Sequence, residues 1–130
     1  MTTINHELYV SLEVAKLLKE AGFDWECRKI YYCYHEDGDT WELEDNYKNY
    51  KSILKLDYCL LTPTLAVAQQ YLREVKNVDV FAYRNEPKDK FESIVSFNKK
   101  WSTTGMCINT YEEALETSIK KALEIIIKGE

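Results

Sequence analysis

The chain has 130 residues, of which 45% are hydrophobic and only two are proline, so it can bury a core and lacks the composition of a disordered protein. It carries 17 basic and 22 acidic side chains, a formal net charge of -5, and no Lys/Arg cluster stands out. This balance argues against the basic footprint that proteins use on phosphate backbones, and we expect no nucleic-acid partner. The length predicts a single domain over residues 1–130.

Two features of the sequence bear on its location. The start, MTTINHELYV, lacks the basic segment and apolar run of a signal peptide, and apolar stretches such as Ile125–Ile127 are far too short to span a bilayer. We therefore expect a cytoplasmic protein with no membrane partner and no cofactor. Four cysteines without a C-x-x-C pair are then expected to be reduced core or near-core residues: Cys27, Cys33, Cys59 and Cys107.

The first predicted element is a helix that follows Ser11. The hydroxyl of Ser11 can accept a backbone N–H of the first turn, which makes it a good N-cap. Leu12, Ala15 and Leu18 then recur at helical spacing and define one apolar face. Gly22 ends the helix because glycine adopts the left-handed backbone conformation at low cost.

Strands are predicted next. Arg28–His35 is rich in aromatic residues, and Thr40–Leu43 follows it across the turn Glu36–Asp39, whose Asp-Gly pair is typical of a hairpin. The polar segment Glu44–Ser52 is predicted to be a loop. Ile53–Leu61 is predicted to be a third strand because its apolar residues alternate.

The second half is predicted to repeat the order of helix, hairpin and helix. The stretch Leu61–Val75 is a proline turn followed by an amphipathic helix. Val78–Arg84 and Phe91–Asn98 alternate as the strands of a hairpin, and Lys99–Asn109 is predicted to be a loop. The last helix begins at Thr110, which has a glutamate three residues later at the spacing of a capping box.

These elements occur in the order α-β-β-β-α-β-β-α. Strands joined mostly as hairpins predict an α+β fold with one antiparallel sheet of about five strands. Three helices with one apolar stripe each would pack on one face of that sheet. The opposite face would be half exposed and rich in tyrosine.

Three runs of the sequence resemble a known family. The runs are SLEVAKLLKEAGF, PTLAVAQQYLREVKN and NTYEEALETSIKKALEII, which coincide with the three predicted helices. As a set they are similar to a family of small uncharacterised proteins from gut bacteria, their phages and mobile elements. The resemblance implies a small intracellular protein of phage or mobile-element origin. That family has no established activity, so the resemblance assigns no functional residue.

The main hint of function is the number of tyrosines, ten in 130 residues. Tyr and Trp offer a large contact area with a polar handle and are enriched at binding surfaces, although aromatic residues also favour strands in general. The sequence predicts a non-enzymatic protein-binding module with an unidentified protein partner. The predicted partner-binding face, on the exposed side of the sheet, consists of Tyr31, Tyr34, Trp41, Tyr47 and Tyr50.

Two alternative functions stay open. Cys33 and His35 lie about 7 Å apart on one face of a predicted strand and precede the acidic turn, so they could form a metal site or the dyad of a small enzyme. A strand-end histidine beside a packed cysteine explains the same residues without a site. The chain could instead be a structural subunit. An exposed edge strand could also pair with a second copy and form a homodimer.

Overall fold

The computed structural model describes residues 8–34, 40–46, 52, 55–86 and 89–129. The helices in these ranges are α1 (Leu12–Glu20), α2 (Leu65–Val75) and α3 (Tyr111–Ile127). The strands are β1 (Lys29–Cys33), β2 (Trp41–Asp45), β3 (Cys59–Thr62), β4 (Val78–Asn85), β5 (Lys90–Phe97) and β6 (Lys100–Ile108). Within these described ranges, no helix is both long and apolar enough to cross a membrane.

The strands form two antiparallel sheets of three strands each. The first sheet has the order β2-β1-β3 and the second the order β4-β5-β6. The α+β class is confirmed, and so is the predicted order of the elements with one strand added, β6, whereas the single sheet of about five strands is corrected to two sheets of three strands. The reason is that β3 folds back on β1, with Leu60 opposite Tyr31, before the chain enters α2. The first three strands therefore form a separate sheet.

The segment Lys99–Asn109, predicted to be a loop, contains strand β6. It pairs with β5 across a two-residue turn in which Asn98 and Lys99 have φ values of 49° and 68°. Positive φ at both central residues defines a type I′ turn, whose twist matches that of the strands it joins. The register shifts on either side of Ser93 interrupt the alternation, which explains why the sequence pattern did not reveal a strand.

The third strand is shorter than predicted. Residues 55–58 form a turn, and regular pairing begins only at Cys59. The side-chain amine of Lys19 on α1 donates hydrogen bonds to the carbonyl oxygens of Leu56 and Cys59 and holds this turn against α1. Leu56 therefore packs against the core from a turn, and its place in an alternating pattern does not require a strand. Strand β2 continues to Asp45, beyond its predicted end, and the predicted turn 36–39 lies outside the described residues.

The predicted helix starts at Ser11 and Thr110 are confirmed, and α2 begins after Thr64. The hydroxyl oxygens of Ser11, Thr64 and Thr110 accept hydrogen bonds from the backbone N–H groups three residues later, at 3.3, 3.2 and 3.1 Å. Each cap has an extended backbone, as N-caps require. Each helix therefore begins at the residue whose side-chain chemistry favours it.

Helix α3 joins the parts of the fold. It packs against β4, β5 and β6 and also against α1 and α2. Its buried residues are Ala114, Leu115, Ser118, Ile119, Ala122 and Leu123. The carboxylate of Glu116 accepts a hydrogen bond from the backbone N–H of Ser11 at 2.9 Å, and Ser93 of β5 donates to the carbonyl oxygen of Ala114 at 2.5 Å. The second sheet and two helices therefore share one apolar stripe.

The first sheet attaches through α1, which packs on β3, and through the chain just before α1. The backbone N–H of Val10 donates to the carbonyl oxygen of Pro63 at 3.0 Å, and that of Leu65 donates to the carbonyl oxygen of Leu8 at 2.9 Å. Buried residues of both sheets and all three helices then belong to one hydrophobic core.

Substitution of Ile119, which is fully buried on α3, tests this arrangement. We expect Ile119→Ala to lower the free energy of unfolding by about 3 kcal/mol, because a buried aliphatic side chain is lost and a cavity remains. Urea denaturation followed by circular dichroism measures the change. Lys121→Ala, on the exposed side of the same helix, is the control. A loss at Ile119 no larger than that of the control would contradict the central packing role of α3.

The β5–β6 turn yields a second stability prediction. Lys99 holds a left-handed conformation that costs a side-chain-bearing residue about 1–2 kcal/mol and glycine almost nothing. We expect Lys99→Gly to raise the free energy of unfolding by roughly 0.5–1 kcal/mol after the greater flexibility of glycine in the unfolded chain is counted. Lys100→Gly, one residue later in the strand, should lower it. A destabilised Lys99→Gly variant would show that the lysine side chain itself stabilises the turn.

Candidate functional site

The structure places two of the predicted binding residues on the side of the first sheet that faces α1. Tyr31 and Trp41 share this face because β1 and β2 pair with Cys33 opposite Trp41. The Lys16 amine of α1 lies 5.4 Å from the centre of the Trp41 ring. Burial raises the pKa of Tyr31, and the negative charge of Glu116 on α3 raises it further. Both aromatic side chains are half-buried beside the helices.

Tyr34 lies on the opposite face, because residues an odd number apart on a strand point in opposite directions. The three described residues of the predicted surface are therefore divided between two faces of one sheet. Tyr47 and Tyr50 lie outside the described residues.

Three tyrosines come together on the face away from α1, and we call them the tyrosine cluster: Tyr32, Tyr34 and Tyr58. The Tyr32 ring centre lies 4.7 Å from that of Tyr34 and 5.5 Å from that of Tyr58. Strand β1 positions the first two, while Tyr58 is held where its carbonyl oxygen accepts the backbone N–H of Cys33 at 2.9 Å. Tyr34 and Tyr58 are 54% and 43% exposed. The result is an aromatic surface with its rings already in contact.

Acidic side chains border the tyrosine cluster. Glu42 lies opposite Tyr32 in the pairing of β1 with β2, and Glu44 lies two residues further along the same face. The hydroxyl of Tyr34 donates a hydrogen bond to the carboxylate of Glu44. Glu42 and Asp57 are exposed. The cluster therefore combines aromatic contact area with negative charge.

The sequence prediction omitted Tyr32 and Tyr58 from the binding surface. The alternation along β1 already places Tyr32 on the same face as Tyr34, so the sequence pattern could have identified Tyr32 as part of the surface. Tyr58 had no such signal, because it reaches the cluster from the turn before β3. Trp101, 69% exposed, was also omitted because its segment was predicted to be a loop.

The alternative site at Cys33 and His35 is described only in part. Cys33 is buried at the end of β1, while His35 and the acidic residues Glu36, Asp37 and Asp39 lie outside the described ranges. Among the residues that are described, no group of three or more His, Cys, Asp or Glu is arranged to hold a metal ion. The Cys33–His35 hypothesis therefore stays a prediction.

All four cysteines fall within the described ranges, and none of them forms a disulfide. Three are buried, as predicted: Cys27, Cys33 and Cys59. Cys107 is exposed, which corrects its predicted place in or near the core. It lies in the irregular part of β6, between Gly105 and Ile108, and has a φ of 59°. Burial raises the pKa of the Cys27 thiol to about 12, and the charge of Glu26 adds to the effect.

Thiol labelling tests this distribution. A maleimide reagent at neutral pH should modify one cysteine quickly, Cys107, because the other three are shielded and thiolates react faster than thiols. Intact-mass spectrometry with peptide mapping measures the site and the rate. Cys107→Ser is the control and should leave only slow labelling until urea unfolds the chain. Fast labelling of Cys33 in the folded protein would contradict its buried position.

No protein-family model, curated protein or solved structure matches this chain. The resemblance of its three helical runs to a family from gut bacteria, phages and mobile elements therefore stays a prediction. What the chain does has to be inferred from its own geometry, in which the tyrosine cluster is the most organised exposed feature of the first sheet.

Proposed function

We propose that this protein is a non-enzymatic protein-binding module whose docking surface is the tyrosine cluster. The observation that supports the proposal is the exposure of Tyr34 and Tyr58 while both rings pack against Tyr32. Exposed aromatic side chains supply large contact areas at interfaces and often dominate the binding energy. Rings that are already held by their neighbours lose less freedom on binding, which lowers the entropic cost of association.

The charge around the cluster indicates the chemistry of the partner. Glu44 accepts a hydrogen bond from the Tyr34 hydroxyl, Glu42 lies opposite Tyr32, and the exposed Asp57 precedes Tyr58 in the chain. The chain as a whole carries a net charge of -5. A partner with exposed Arg or Lys side chains would pair with these carboxylates and could place a cation over a tyrosine face. Opposite charge on the two surfaces also accelerates association. We therefore propose a basic protein surface as the partner.

The other predicted surface residues take different places in this proposal. Tyr31 and Trp41 support the first sheet from its helix side, where Trp41 contacts the Lys16 amine. Tyr47 and Tyr50 follow β2 in the chain and stay predicted members of the binding surface. The proposed setting, an intracellular protein of phage or mobile-element origin, depends on the resemblance of the three helical runs.

Self-association is a second candidate, favoured by one observation. Strand β6 is nine residues long and mostly exposed, and in the described part of the chain it pairs with β5 alone. An edge of this kind can add a strand from a second copy, which would make the chain a homodimer or a structural subunit. The irregular register beside Ser93 twists this edge and weakens it as a template. The tyrosine cluster is therefore the better supported surface.

The proposal predicts the effect of removing the exposed rings. A tagged wild-type chain would first isolate the partner from a lysate, and titration calorimetry would then measure its affinity. We expect Tyr34→Ala combined with Tyr58→Ala to weaken binding roughly 10–100-fold, since each ring would be a contact of hot-spot strength. Glu42→Lys should also weaken binding, and more strongly at low salt because surface charges are screened by ions.

Two matched controls accompany these variants. Trp101→Ala removes an even more exposed aromatic side chain from the other sheet, and Glu74→Lys reverses a charge on the exposed side of α2. Both should bind the partner as the wild type does. Unchanged affinity of the double tyrosine variant, with a native circular dichroism spectrum, would overturn the proposal.

A further inference from the structure

A second surface lies on the outer face of the second sheet, away from α3. Asp79 of β4 is opposite Ser96 of β5, and Ser96 is opposite Trp101 of β6, so one row of side chains crosses all three strands. This row and the turns at its end line an open groove of about 550 Å³. The lining residues are Asn77, Asp79, Ser96, Asn98, Lys99 and Trp101. Clefts of this size hold small organic ligands.

An exposed indole forms one wall of the groove. The Trp101 ring centre lies 5.2 Å from that of Phe81 with the planes at 80°, so Trp101 leans edge-to-face against its neighbour. Ile94, which lies opposite Phe81 in the sheet, is only 4% exposed. Trp101 is nevertheless 69% exposed. It therefore presents a rigid, open aromatic face.

The polar residues of the groove have their hydrogen-bonding groups available. Among the described residues, the side chains of Asn77, Asp79, Ser96, Asn98 and Lys99 have no hydrogen bond or ion pair. At the other end of the same face, polar side chains bond to one another. There the carboxylate of Glu92 accepts hydrogen bonds from the Tyr83 hydroxyl at 2.9 Å and the Asn85 amide at 2.8 Å. The polar groups near Trp101 therefore differ from Glu92 in having no partner within the described part of the chain.

The backbone brings these groups to the groove through two turns. Asn77, Asn98 and Lys99 all have positive φ, at 58°, 49° and 68°. Asn77 directly follows the C-cap of helix α2, and Asn98 and Lys99 are the central residues of the β5–β6 turn, where this conformation is usual. Glycine would make the β5–β6 turn at lower cost, yet this turn carries an amide and an ammonium group beside the groove.

The chemistry of the lining residues limits the kinds of ligand that the groove can bind. An apolar side chain would cover five polar groups without replacing their hydrogen bonds to water, which is unfavourable. A phosphate would meet the carboxylate of Asp79 with a single lysine to balance it, and a divalent cation would find one carboxylate beside that lysine. A neutral ligand with many hydroxyl groups and one flat C–H face satisfies both the polar groups and the indole.

We propose that this groove binds a saccharide, with one neutral sugar ring stacked on Trp101. The C–H groups on one face of the ring would lie on the negative face of the indole. The hydroxyl groups would donate to the Asp79 carboxylate and accept from the amides of Asn77 and Asn98 and from the Lys99 ammonium. The site is separate from the tyrosine cluster, which lies on the other sheet, and does not depend on the proposed protein partner.

A glycan array of neutral and acidic oligosaccharides, probed with the full chain, tests the proposal. The neutral glycan with the strongest signal would then be titrated into ¹⁵N-labelled protein, with the Trp101 indole N–H as the reporter. We expect that resonance and the backbone amides of Ser96 to Trp101 to shift. Trp101→Ala and Asp79→Ala should each weaken binding by about tenfold or more, the effect of losing one aromatic or charged contact.

Tyr34→Ala, which removes an exposed ring from the other sheet, is the control and should bind the glycan as the wild type does. Each variant is checked for its native amide spectrum before titration. Absence of binding to every neutral glycan on the array would overturn the proposal. Binding that survives Trp101→Ala, or a response of the Trp101 indole only to a protein partner, would also overturn it. A response of the Trp101 indole only to a protein partner would assign this face to protein recognition instead.

Discussion

The buried stripe of α3 is the contact on which the other features of this structure depend. Ile119 and Leu123 are fully buried where α3 meets the second sheet, α1 and α2. Burial of aliphatic side chains is the dominant favourable term in folding, so an element that contacts most of the others largely determines how they are arranged. The hydrogen bonds of Glu116 to Ser11 and of Ser93 to Ala114 fix the direction of this packing. Around this core each sheet keeps an exposed aromatic side chain on its outer face, Tyr34 beside the first sheet and Trp101 on the second.

Those two outer faces differ in chemistry, and the difference supports two separate roles. On the first sheet, rings in mutual contact are bordered by carboxylates, a surface suited to a basic protein. On the second, one open indole lies beside polar groups that have no partner among the residues the structure describes, a surface suited to a hydroxyl-rich ligand. Neither role requires the other. A module that carries both could bring a protein and a saccharide together.

Local chemistry explains which parts of this structure were predictable. The caps at Ser11 and Thr110, the helical spacing and the order of elements were readable because each depends on neighbours within a few residues. The division into two sheets was not, since it depends on which strand β3 pairs with, and hairpin patterns leave that open. Strand β6 was missed because a bulge beside Ser93 breaks its alternation. Strand alternation could have separated the residues of the predicted binding surface, because Tyr31 and Tyr34 are an odd number of residues apart and point to opposite sides of the first sheet.

The most direct test of the docking surface is to map, by NMR, which residues of this chain change their resonances when the partner binds. Amide and side-chain resonances of ¹⁵N- and ¹³C-labelled protein would be followed while the isolated partner is added. The account predicts shifts at Tyr32, Tyr34 and Tyr58 and along the facing strand β2, with the amides around Trp101 unchanged. Shifts confined to β6 would contradict it and would favour pairing at the sheet edge. Shifts on the α1 side of the first sheet, around Tyr31, would show that the opposite face of that sheet is the one that binds.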